Sequence, residues 1–178
     1  MKNSYSRNTL FIIFFALLFI PLISFNNPAK DWIRVPIDAV VSVQFPDEPT
    51  PQTINGIQVY TLRTPEAAFM AMVYNQPLNP GQNPITDAHE FYLGLVSSMV
   101  RNAKAILTDS AAFTINNHKE IKFSYTSTQA DGSKITRQNH SVLINDKLYT
   151  LLYTPLLQPT ESAQASAKQF LESMEVTE

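Results

Sequence analysis

Cysteine is absent from the 178 residues. That excludes disulfide scaffolds, thiolate nucleophiles, Cys-ligated zinc and iron–sulfur clusters together. Glycine is scarce, and the four present (Gly56, Gly81, Gly94 and Gly132) stand too far apart to build a Walker phosphate loop or a dinucleotide-binding fingerprint. An excess of one charge sign is missing too. The 13 Lys+Arg face 15 Asp+Glu for a formal net charge of -2, so no broad basic surface for nucleic acid is expected. Only three histidines occur, His89, His118 and His140, none has a second at metal-ligand spacing, and no HExxH motif is present. What remains is a 44% apolar, 16% charged chain. It is long enough for one well-buried domain plus a targeting segment.

The first thirty residues read differently from the rest. Lys2 and Arg7 precede an uncharged apolar run from Leu10 to Ile23, and five of the eleven phenylalanines fall before residue 26. A short basic head followed by such a run is the pattern of a secretion signal, with the charged head held on the cytoplasmic side. Residues 1–29 are therefore assigned as a signal peptide, with cleavage after Ala29 and export to the periplasm or the exterior. Losing Lys2 and Arg7 would leave 11 basic against 15 acidic side chains, a formal charge of -4. The alternative is a short membrane anchor through residues 8–25. The 14 residues from Leu10 to Ile23 fall below the roughly 20 needed to span a bilayer comfortably. Membrane contact is expected only if this segment is retained.

Residues 30–178 read as a single domain. Val41, Val43 and Phe45 alternate with Ser42 and Gln44, a half-buried strand. Pro46 ends it, and Pro49 and Pro51 hold an exposed turn. Asn55-Gly56 then offers hairpin chemistry before a strand over 57–62. Residues 68–74 are apolar on both parities, as in a central strand covered on both faces. After a proline-rich loop, Asp87 and Glu90 have capping-box spacing. Phe91, Leu95 and Met99 lie beside Tyr92, Val96 and Val100, which predicts an amphipathic helix to Arg101, with Gly94 allowing close packing. Period two returns with Ile121, Phe123 and Tyr125. Asp131-Gly132 and Asn145-Asp146 then separate three strands that must form an antiparallel meander. Thr160 is placed to cap a last helix with Ala163, Ala167, Phe170, Leu171 and Met174 on its apolar face. The fold class is α+β, an antiparallel sheet with helices packed on its faces.

No catalytic constellation stands out. Ser110, Ser124 and Ser141 lie outside any Gly-x-Ser-x-Gly elbow. Asp131 and Asp146 have simpler work as turn formers, and no acids follow a calcium-loop pattern. Catalytic, cofactor and metal residues are accordingly expected to be none. For binding, the strand Lys134-Ile135-Thr136-Arg137-Gln138-Asn139-His140 carries long donors on both faces. Lys134, Arg137, Asn139 and His140 are candidates, with His140 read as a solvent-facing residue that could meet an acid across the sheet. Tyr125, Tyr149 and Tyr153 could line a groove between sheet and helix, or sit half-buried with the hydroxyl at the rim. Tyr125 and Tyr149 join the candidates.

The strand Val41-Ser42-Val43-Gln44-Phe45-Pro46-Asp47-Glu48-Pro49, the helix from Asp87, the meander, the segment Asn145-Asp146-Lys147-Leu148-Tyr149-Thr150-Leu151 and the closing helix come in an order that resembles PsbP-like domains. The resemblance covers roughly residues 35–175. It is closest in kind to uncharacterised exported bacterial members, and it extends to the nuclear import factor that binds the GTPase Ran. It implies an antiparallel sheet with helices on its faces and a protein that acts by docking, without a shared catalytic constellation. Because members share a scaffold while their roles differ, the expectation for function is general. It is an exported, non-catalytic binding or accessory protein of the cell envelope, partnered by a protein or envelope component through its sheet face or rim loops. The rival is a small hydrolase or ligand-binding enzyme with a groove between helix and sheet.

Overall fold

A computed structural model describes residues 31–75, 87–115 and 118–177. The signal-peptide assignment and the proline-rich loop lie outside them. The described residues form ten strands and two helices, with every strand pair antiparallel. A small sheet has the order β1 (Ile33–Pro36), β2 (Val41–Phe45), β10 (Glu175–Val176). The large sheet holds β3 (Thr50–Ile54), β4 (Ile57–Arg63), β5 (Ala67–Asn75), β6 (Ile106–Ile115), β7 (His118–Thr128), β8 (Lys134–Ile144) and β9 (Lys147–Pro155). Its order is β3-β4-β5-β9-β8-β7-β6. Two meanders thus meet where β5 pairs β9, and the chain segment containing α1 (Ala88–Asn102) carries the path from mid-sheet to the far edge.

Alternation along the strands separates two cores. On one face, Phe69, Ala71 and Val73 of β5, Tyr149, Leu151 and Tyr153 of β9, and Val142 and Ile144 of β8 pack with β2 and with α2 (Glu161–Leu171). Phe170 is fully buried there, with ring centroids 5.2 Å from Phe45 and 5.3 Å from Phe69. On the other face, Tyr92 and Val96 of α1 pack on Ile121, Phe123, Tyr125 and Leu148. Helix α1 starts as read, Asp87 accepting from the backbone N–H of His89 and Glu90. Helix α2 starts at Thr160, whose hydroxyl accepts from Ala163 N–H at 3.2 Å.

Several details differ from the sequence reading. Pro51 lies within β3 instead of a turn. The strand is at the sheet edge, where a residue without an N–H costs no ladder bond. Strand β6 lengthens the expected three-strand meander to four. The Asp131-Gly132 signal sits in a five-residue connection, with Asp131 accepting from Ser133 N–H and Gly132 at φ 83. The two-residue turns are Asn55-Gly56 and Asn145-Asp146, all four at positive φ. Strand β5 is central, but its outward parity (Ala68, Met70, Met72, Tyr74) is only half-buried. Gly94 makes no close approach: a Cβ there would meet nothing within 4 Å. Met174 lies past the helix end at Leu171 and still packs on the first core.

Candidate functional site

The candidate binding residues divide between the two faces of the sheet. Tyr125, Arg137 and Asn139 share the α1 face, because Tyr125 pairs Arg137 and Phe123 pairs Asn139 across β7 and β8. His140 and Tyr149 point to the α2 face. Tyr125, Tyr149 and Tyr153 therefore line no common groove, and each is buried at 5% exposure or less. Lys134 is exposed at the start of β8 and borders a cleft of about 340 Å³ with Gln138, Leu157 and Gln164.

His140 is not solvent-facing. It is 5% exposed and bridges two acceptors from different elements. Nδ1–H donates to the Leu171 carbonyl at the end of α2 (2.6 Å), and Nε2 shares a proton with Glu120 Oε2 of β7 (2.8 Å). A carbonyl can only accept, so the Nδ1 proton is fixed. The carboxylate then requires a second proton at Nε2 or on its own oxygen. Either way both imidazole nitrogens are committed. Glu120 is itself 7% exposed, and one side of the pair opens on a cleft of about 440 Å³ lined also by His118, Lys122 and Glu172. Ser141 lies on the opposite face of β8 and shares its hydroxyl with Thr150 (3.0 Å), so it forms no dyad with His140.

Tyr149 is held by another network. Its hydroxyl donates to Asp38 Oδ2 (2.7 Å), as does Lys147 Nζ (2.9 Å), while Asp38 Oδ1 accepts from Val40 and Val41 N–H. Burial, then the Asp38 hydrogen bond and charge, push the Tyr149 phenol well up. This cluster ties the β1–β2 connection to β9 and leaves Tyr149 no hydroxyl proton to donate to a partner.

On the α1 face, polar groups are less fully used. Asn139 is 1% exposed, and neither its Nδ2 nor its Oδ1 has a hydrogen-bond partner. Leaving a buried amide unmet costs about 1–3 kcal/mol per group. Arg137 Nη1 donates to Ser127 Oγ (2.6 Å), which also accepts from Gln129 Nε2 (3.1 Å). Among the described residues no carboxylate pairs with Arg137. Burial raises the Tyr125 phenol, partly offset by the Arg137 charge and the Asn139 side chain.

Glu120, Asp38 and Ser127 escaped the sequence reading. A signal existed for Glu120: Ile121, Phe123 and Tyr125 take one parity, so Glu120 and Lys122 take the other. Val142 and Ile144 on the adjoining strand show that this second parity is a core face as well.

The described residues include no helix long and apolar enough to cross a membrane. No family model matches the sequence, and no curated protein sequence matches it. Among solved structures, cyanobacterial PsbP (CyanoP) from Synechocystis sp. PCC 6803 superposes with a TM-score of 0.62, covering 83% of this chain and 94% of that one at 11% identity. A Pseudomonas aeruginosa protein of unknown function, described as a putative regulator, covers 77% and 88% at 13% identity, but its TM-score of 0.42 carries no argument. At such identity the likeness is one of fold. The domain has the PsbP-like α+β fold, an antiparallel sheet with helices on its faces.

Proposed function

We propose that this chain is an exported, non-catalytic accessory protein of the cell envelope that binds a protein partner by taking one of its extended segments as an added strand on β6. The observation that carries this reading is the contrast between the two edges of the large sheet. Strand β3 is five residues long and contains Pro51, which blunts an edge. Strand β6 is ten residues long, and Asp109 is its one charged residue. Ile106 is 75% exposed and Leu107 42%. Its single irregularity, between Leu107 and Asp109, lies near one end and leaves the run from Ser110 onward regular. Such an edge offers unpaired main-chain groups for affinity and alternate side chains for specificity. The sheet faces suit docking less well, since α1 covers one and α2 with the small sheet the other.

Export is supported by Lys2, Arg7 and the apolar run that follows. A non-catalytic role is supported by His140, whose two nitrogens are committed within the fold. The test is purification from the native host after mild cross-linking, comparing wild type with Ile106→Lys/Ala111→Lys, two exposed positions on β6. The expected result is one stoichiometric protein partner with wild type, its loss with the variant, and a mature N-terminus at or near Lys30. A partner retained equally by the variant would overturn β6 docking. An intact Met1 would overturn cleavage, and a retained small molecule with no protein would favour the ligand-binding rival.

A further inference from the structure

A cleft of about 440 Å³ opens beside the end of α2, a volume in the range of small-molecule sites. Its charged groups are unequally satisfied. Glu172 meets Lys122 at 3.8 Å, and Glu175 meets Arg34 at 2.9 Å. Glu120 is 7% exposed and is bonded to His140 through Oε2. No donor among the described residues reaches its Oε1. Nor is Oε1 sealed in the core, because among the described residues the buried side-chain atoms left without a partner are the two of Asn139. Oε1 therefore opens into the cleft that Glu120 lines. A carboxylate oxygen held in a cleft without a donor is a strong acceptor for a charged N–H group.

The surroundings narrow the choice of donor. With Oε2 held by His140, Glu120 offers one oxygen, whereas a guanidinium fork takes two. An ammonium is a point charge and needs only one. Among the described residues no three His, Asp or Glu side chains come together as ligands for a metal ion. Half-buried Met174 and Val176 give the cleft an apolar wall. We infer that this cleft binds a primary ammonium group on a short alkyl stem, the ammonium donating to Glu120 Oε1 and the stem lying on Met174 and Val176. Among the described residues none of β6 lines the cleft, so the site stands apart from the β6 reading.

The test is a ¹H–¹³C NMR titration of the purified protein with butylamine, methylamine and butylguanidine at fixed pH and ionic strength, following the Met174 methyl and His140 ring signals. Butylamine is expected to give saturable shifts at both and to bind about tenfold tighter than methylamine, whose stem is too short to cover the apolar wall. Butylguanidine is expected to bind more weakly than butylamine. Glu120→Gln is expected to weaken butylamine about tenfold or more, as loss of a charge-assisted contact does, with its methyl spectrum showing that it still folds. Nα-acetyl-lysine amide carries the same group in peptide form. Its binding more tightly than butylamine would assign the cleft to a partner's lysine side chain, and its binding more weakly to a free amine. Absence of saturation, butylguanidine or methylamine binding as tightly as butylamine, or unchanged affinity in folded Glu120→Gln would each overturn the inference.

Discussion

Replacing Asp38 by Asn should remove a pH-dependent source of stability, at a cost that is largest near neutral pH and shrinks in acid. Asp38 sits in the β1–β2 connection and accepts four hydrogen bonds, from Val40 N–H (2.8 Å), Val41 N–H (2.9 Å), Lys147 Nζ (2.9 Å) and the Tyr149 hydroxyl (2.7 Å). Burial alone would raise its carboxyl, but these donors outweigh it and bring the pKa from 3.8 to about 2. That lowering corresponds to about 2 kcal/mol favouring the folded state, little screened by solvent because the side chain is only 17% exposed. Since the folded pKa lies below the unfolded one, the contribution is complete above about pH 4 and disappears as pH falls through about 2. In Asp38→Asn the amide NH₂ would face the Lys147 ammonium and the Tyr149 hydroxyl, donor against donor. Denaturant unfolding of both proteins at pH 7, 4 and 2 provides the assay. The expected destabilisation is about 2 kcal/mol at pH 7, shrinking to under about 1 kcal/mol at pH 2. An equal cost at both pH values, or no measurable cost at pH 7, would refute the reasoning.

Two further substitutions follow from the same structure. His140→Ala leaves the Glu120 carboxylate buried without the imidazole and should cost about 3–5 kcal/mol. Glu120→Gln should cost only about 1 kcal/mol, because a neutral imidazole can accept from the new amide. The double variant should be more stable than His140→Ala alone, as a double-mutant cycle by equilibrium unfolding would show. Gly94→Ala, exposed in mid-helix with open space at the Cβ, should stabilise by about 0.5–1 kcal/mol. A rise in Tm of a few degrees would register it, and a fall would mean that Gly94 has a packing role.

The fold was legible wherever local chemistry repeated. The Val41–Phe45 alternation, the Asp87 and Thr160 caps and the Asn55-Gly56 turn each depend on neighbours within a few residues, and each recurs in the structure. Strand β6 was harder to see. From Ile106 to Ala112 every residue is exposed, with no buried parity to betray a period; the strand is held by pairing to β7, a relation between segments. The candidate residues show the same limit. Alternation placed Arg137 and Asn139 on one parity correctly, but which face a helix covers depends on where α1 and α2 pack. That is why His140 was read as exposed when α2 in fact closes over it. The partners of His140 and Tyr149, Glu120 and Asp38, lie 20 and 111 residues away. No short-range pattern could name them.

Docking through β6 is tested most directly by a photo-crosslinking amino acid at Ala111, on the exposed β6 edge, with the same group at Thr53 on the opposite edge strand β3 as control. After illumination in the native host, adducts are identified by mass. The account predicts one discrete protein adduct from position 111, mapping to an extended segment of the partner, and none from position 53. Adducts from position 53 alone, or none from position 111 while a partner still co-purifies, would contradict it.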